Sequence, residues 1–112
     1  MDLIEKTIDS TLMFEGKILH VYKDTIKLPN EKEAFREYIK HIGAVCVIPV
    51  TNEGNVILVK QYRYAVEREL LEIPAGKLDS ADEDPLDAAI RELKEETGAT
   101  AEKIISLGLY LG

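Results

Sequence analysis

Residues 76–99 read GKLDSADEDPLDAAIRELKEETGA, and their reading decides the fold. The stretch leaves a turn, crosses an acidic loop, enters a helix and stops at a glycine. Asp84 stands where an N-cap belongs, with Pro85 at the first helical position. Leu86, Ala89, Ile90 and Leu93 recur at i, i+3, i+4 and i+7, which predicts one apolar face turned to a core. Gly98 is placed to end the helix in a left-handed cap.

Beside that face lie Glu92, Glu95 and Glu96, spaced so that their carboxylates leave one side of the helix. Glu92 and Glu96 are like charges one turn apart, a cost of roughly 0.2–0.5 kcal/mol when nothing lies between them. They also sit toward the C-terminal half, where the helix dipole disfavours anions. A hard divalent cation reverses both penalties, since Mg²⁺ prefers oxygen ligands. Arg91 is one turn before Glu95 and is placed to hold it as an ion pair. Three helical glutamates alone are usually a solvated face, so the residues around them decide.

Residues 91–99, RELKEETGA, resemble the helical half of the Nudix box, the signature of the Nudix hydrolases, and match every fixed position of it. Glu83, eight residues before Arg91, falls where the family has its upstream glutamate. The sequence departs from the pattern once: the glycine expected six residues before that glutamate is Gly76, one residue earlier, and Lys77 holds its place. This reads as a one-residue insertion in the turn over residues 79–82.

The 112 residues suffice for a compact domain with a core. Net charge is −7, and the acid excess is concentrated in residues 79–96. That balance argues against nucleic acid, which needs basic surface. No run reaches membrane-spanning length and the N-terminus lacks an apolar signal core, so the chain reads as cytoplasmic. The lone Cys46, in an apolar run, reads as a small buried hydrophobe in a reducing compartment.

Residues 7–14 and 17–28 predict two strands joined at Glu15-Gly16, followed by a break at Pro29-Asn30, a loop over 31–34 and a strand over 35–41. Residues 44–50 are apolar enough for a strand covered on both faces, with Pro49 marking an unpaired or bulged edge. After the turn at 52–55, residues 56–62 predict the returning strand, 70–73 a short strand and 102–111 a last one. The class is α/β.

Beyond the box, residues 15–19 (EGKIL), 36–45 (REYIKHIGAV), 60–64 (KQYRY) and 72–76 (EIPAG) resemble the ADP-ribose pyrophosphatase branch, with Ile42 where that branch usually has proline. The resemblance implies a Nudix-type α/β/α sandwich with a mixed sheet and an N-terminal β extension. It divides the chain into an N-terminal β region, 1–40, for dimerisation and substrate contact, and a Nudix core, 41–112, whose usual C-terminal strands and second helix are missing. It further implies Mg²⁺-dependent hydrolysis of ADP-ribose to AMP and ribose 5-phosphate, Mn²⁺ being an alternative metal, by a homodimer paired through the N-terminal strands.

Glu92 and Glu96 are the first choices as metal ligands, with Glu95 sharing or ordering a metal and the Ala75 carbonyl a ligand of family type. Arg91 is expected to orient a glutamate. In this branch the base is usually a glutamate well after the box, which would lie beyond Gly112; the resemblance offers Glu95 as an alternative base within the box, as in some relatives. Arg63 suits a phosphate or ribose contact because a guanidinium binds oxyanions in bidentate fashion. Glu72 is read as lining the pocket, and Lys17, Ile18, Arg36 and Glu37 as reaching substrate from a partner subunit. Two other readings stay open: a Nudix-like module or truncated fragment that binds nucleotide without turnover, and a dimerisation piece.

Overall fold

The computed structural model describes residues 2–109. The chain divides into two compact units, the first ending at His41 and the second beginning at Ile42.

The first unit is an antiparallel sheet of β1 (Lys6–Glu15), β2 (His20–Lys27) and β3 (Glu33–Ile39), in that order. The expected turn at Glu15-Gly16 closes as the Gly16 N–H donates to the Leu19 carbonyl, 2.8 Å away. The third strand begins at Glu33 and takes up part of the expected loop. The central strand carries Asp24, only 8% exposed. A carboxylate so placed is costly unless hydrogen-bonded. The Ser10 hydroxyl of β1 donates to it at 2.6 Å and the Tyr38 hydroxyl of β3 at 3.0 Å. Tyr22 stacks on Tyr38 at a centroid distance of 5.8 Å, and the Lys40 ammonium caps the Tyr22 ring at 4.4 Å.

The second unit holds β4 (Ala44–Cys46), β5 (Val59–Arg63), β6 (Arg68–Glu72), β7 (Ala75–Lys77) and α1 (Pro85–Thr97). Antiparallel pairs form between β4 and β7 and between β5 and β6, the latter joined by a single 3-10 turn over Tyr64–Val66. Strand pairing among the described residues is antiparallel throughout, so the parallel pairs of a mixed sheet are not among them. The class is α/β, as expected.

Three local expectations change. The run 44–50 forms a strand only over its first three residues, followed by the Val47 N–H to the Pro74 carbonyl; past Pro49, which has no N–H to give, a single bridge, Val50 to Val56, closes the turn. The returning segment keeps only that bridge and the Ile57 N–H to the Pro49 carbonyl with the run before it; its strand begins at Val59 and pairs with β6. That run is covered on one side only: Val45 and Val47 are half-buried, while Ala44, Cys46 and Ile48 are exposed. Cys46 is therefore an exposed free thiol, not a core hydrophobe. Residues 102–109 form no strand, having no ladder partner among the described residues; the rest of that expected strand, 110–111, lies outside them, as does Gly112.

The helix is the best-specified element. The Asp84 carboxylate accepts from the Leu86 N–H at 2.9 Å, Pro85 opens the first turn, and Gly98 ends the helix at φ +75°. Asp84→Ala is expected to cost about 1 kcal/mol, read as a lower urea midpoint, because it strips that cap. The face turned inward is not quite the expected one. Leu93 is buried as predicted, but its companions are Ala88 and Glu92, while Leu86 and Ile90 stay 48% and 45% exposed. The helix packs on β4 and β7, and Ala88 and Glu92, one turn apart, form the row against them.

Candidate active site

The site grows from β7. Gly76 pairs with Val45, and the Pro74 carbonyl accepts from the Val47 N–H at 2.9 Å, so the short segment is held flat against β4. Gly76 has no side chain, and the Glu92 carboxylate occupies the space a Cβ would take. A charged group thus reaches a nearly closed position, 8% exposed, against bare backbone.

Arg91 compensates it. Its Nη1 donates to Glu92 Oε1 at 2.7 Å, its Nη2 to Glu83 Oε1 at 3.0 Å and to the Lys77 carbonyl at 3.2 Å. Its Nε faces Asp79 Oδ2 at 3.1 Å and Glu83 Oε2 at 3.3 Å. Glu95 is more distant, 3.6 Å from Nη1 and 60% exposed at its side chain. One guanidinium therefore meets four carboxylates, ties the acidic loop to the helix and leaves the cluster short of positive charge. The hydrogen bonds from Arg91 hold the Glu83 carboxyl below the usual carboxylate range, and the Asp79 N–H, donating at 2.7 Å, adds to this. Arg91 is itself raised, chiefly by its bond to Glu83.

Glu96 is separated from this group. Its Oε2 accepts from the side-chain amide of Gln61 on β5, at 3.1 Å. The helical like-charge pair Glu92 and Glu96 is thus relieved by two different partners, one cationic and one neutral. Arg63, two residues further along β5, forms a bidentate pair with Glu72 of β6, its Nε 2.8 Å from Oε2 and its Nη2 against Oε1. That pair lowers Glu72 and raises Arg63, each through the hydrogen bond first.

Of the residues expected at the site, Arg91, Glu92 and Glu95 are brought together, Ala75 immediately precedes the glycine under Glu92, and Glu96 is joined to β5 instead. Arg63 and Glu72 engage each other. Lys17, Ile18, Arg36 and Glu37 belong to the first unit: the first two are exposed in the β1–β2 turn, and Arg36 is paired with Glu5 at 2.7 Å, lowering the Glu5 carboxyl. Sequence reasoning matched Glu83 to the family's upstream glutamate but assigned it no role because of the insertion, and it passed over Gln61 and the cradle at Gly76. Glu83 was within reach from its spacing to Arg91; Gln61 was visible only as part of KQYRY.

A hard divalent cation suits these donors, which are carboxylate oxygens in excess of the one cation among them. Among the described residues, no three carboxylates, imidazoles or thiols are gathered as a metal-holding group; the shared cation of the cluster is Arg91. No helix among the described residues is long and apolar enough to cross a membrane.

Residues 40–111 match the family described as NUDIX domain. A protein of Bacillus subtilis (strain 168) described as ADP-ribose pyrophosphatase is 50% identical over 108 residues, 96% of this chain and 58% of that protein. A protein of Bacillus methanolicus described as methanol dehydrogenase activator is 45% identical over 100 residues, 89% of this chain and 54% of that protein. The chain spans about half the length of the curated relatives it matches. Among solved structures, one described as the crystal structure of ADP compounds hydrolase superposes with a TM-score of 0.78 at 24% identity, covering 92% of this chain and 56% of that one.

Proposed function

Because the chain belongs to the Nudix family, we propose that it hydrolyses the pyrophosphate bond of ADP-ribose, giving AMP and ribose 5-phosphate, or that of a related nucleoside diphosphate sugar, with Mg²⁺ or Mn²⁺ as cofactor. The observation that carries this is the carboxylate cluster on α1, with Glu92 sunk against Gly76 and only Arg91 to offset it. The likeness to a protein described as ADP-ribose pyrophosphatase supports the choice of substrate.

Glu92, Glu96, Glu95 and the Ala75 carbonyl would hold the cation. When bound, it would neutralise pyrophosphate charge and acidify a water. The chain's own residues do the rest. Arg91 fixes the Glu92 carboxylate and keeps the acidic loop folded over the helix. Glu95, exposed and least restrained by Arg91, is the group free to take a proton from an attacking water. Arg63 is preset by Glu72 with its guanidinium plane fixed, which suits it to a phosphate or ribose oxygen, and Glu72 lines the same face. Residues 41–112 are read as part of the hydrolytic core. Residues 1–40 are read as the region that pairs two copies and brings Lys17, Ile18, Arg36 and Glu37 to substrate, in a cytoplasmic homodimer.

The test is AMP release from ADP-ribose by this chain, with Mg²⁺ and with chelator. Metal-dependent AMP formation is the expected result. A folded chain that binds ADP-ribose and releases no AMP would replace this reading by the second one, a nucleotide-binding module.

A further inference from the structure

Resting on that reading, we propose that Gln61 is a positioning residue: its side-chain amide holds one oxygen of Glu96 so that the other is presented to a divalent cation.

The placement follows from the hairpin. Along β5, Val59, Gln61 and Arg63 share one face, and Glu72, Leu70 and Arg68 of β6 stand opposite them in register. Val59 and Gln61 are half-buried, while Lys60 and Tyr62 on the other face are exposed. The face that carries Gln61 therefore looks inward, and the amide meets a helix residue 35 positions later in the chain.

The chemistry of the donor separates Glu96 from its neighbours. Asp79, Glu83, Glu92 and Glu95 all lie within ion-pair distance of Arg91, which offsets their charge as it orients them. The Glu96 carboxylate has Gln61 as its sole hydrogen-bond partner among the described residues. A neutral amide orients a carboxylate without pairing it to a cation, so the partner that holds Glu96 carries no charge of its own. That is the role of the outer partners that orient metal ligands. Arg63 lies on the same face, close enough for Glu96 to contribute to its raised basicity, with its Nε and Nη2 turned to Glu72.

The test is a Mn²⁺ titration of the full chain, free Mn²⁺ being followed by electron paramagnetic resonance, for wild type, Gln61→Met, Glu96→Gln and the double variant. Methionine keeps the length of the side chain and removes the donor. Gln61→Met is expected to raise the Mn²⁺ dissociation constant by roughly 10-fold or more. Its thermal midpoint in chelator should stay near wild type, and turnover of ADP-ribose should return at saturating Mn²⁺. In the Glu96→Gln background the Met substitution should weaken Mn²⁺ binding no further, since the effect runs through Glu96. Should the Met variant fail to fold, Gln61→Asn, which withdraws the amide by one methylene, gives the same reading. Unchanged Mn²⁺ affinity in Gln61→Met, or a loss fully additive with Glu96→Gln, would overturn the proposal. Wild type that binds no Mn²⁺ would sink the hydrolase reading itself, and is seen before any variant is compared.

Discussion

Glu96→Gln is expected to lower Mg²⁺-dependent AMP release at least about 100-fold while leaving the chain folded. Losing an outer partner of a metal ligand typically costs about 10–100-fold in affinity or activity, and losing the ligand's own charge should cost more. The substitution is nearly isosteric. The amide of Gln61 still finds an oxygen at that position, so the link between β5 and α1 survives. Glu96 is half-buried and makes no ion pair with Arg91, so its charge can be removed without unpairing a cation. Initial rates with ADP-ribose, set beside urea unfolding of the same variant, separate the two quantities. A rate within a few-fold of wild type would remove Glu96 from the reaction.

Gly76→Ala is the second large effect, and its cause is geometric. A Cβ at this position overlaps the Glu92 carboxylate, both of whose oxygens and whose carbon it would meet. The backbone of β7 is pinned by its pairing with β4, so the carboxylate must move. It then leaves the Arg91 guanidinium and a nearly closed site. Overpacking of this kind costs about 1–3 kcal/mol, and the loss of turnover should approach that of removing Glu92 outright. One comparison isolates the cause. In a Glu92→Ala background the added methyl has nothing to strike, so the stability cost of Gly76→Ala should largely disappear from the unfolding midpoint. A cost that persists unchanged would place the strain in the backbone instead.

What the amino-acid sequence reveals here depends on how local the cause is. Asp84, Pro85 and Gly98 bracket the helix because each acts within a few residues of itself, through a side-chain cap, a fixed φ and a left-handed turn. The strands of the first unit are legible for the same reason, their turns being marked by Gly16 and by Pro29-Asn30. Which row of α1 faces inward is not a local matter. Periodicity favours Leu86 and Ile90, but the facing strand offers a glycine, and the space at Gly76 admits Glu92 beside Ala88. The acidic residues of the site are likewise visible as a spacing, whereas the division of their charges between Arg91 and Gln61 depends on a hairpin that ends at Glu72, far from Glu95 and Glu96 along the chain. Cys46 shows the reverse error: apolar neighbours suggest burial, yet the alternation of the strand turns it outward.

The Ser10–Asp24–Tyr38 bridge has a consequence for how the first sheet avoids assembling wrongly. Successive side chains on a strand point to opposite faces, so a pairing displaced by one residue would carry Asp24 away from both hydroxyls. The displaced sheet would then hold a carboxylate with its donors on the wrong side, and the flanking β1, whose residues are all exposed, offers little apolar burial to tip the choice. Discrimination between the right and the shifted alignments thus falls on a polar contact that spans all three strands. It works as an error check: the correct assembly is the one in which a single acid finds two alcohols, and mispaired versions are penalised for leaving it thirsty.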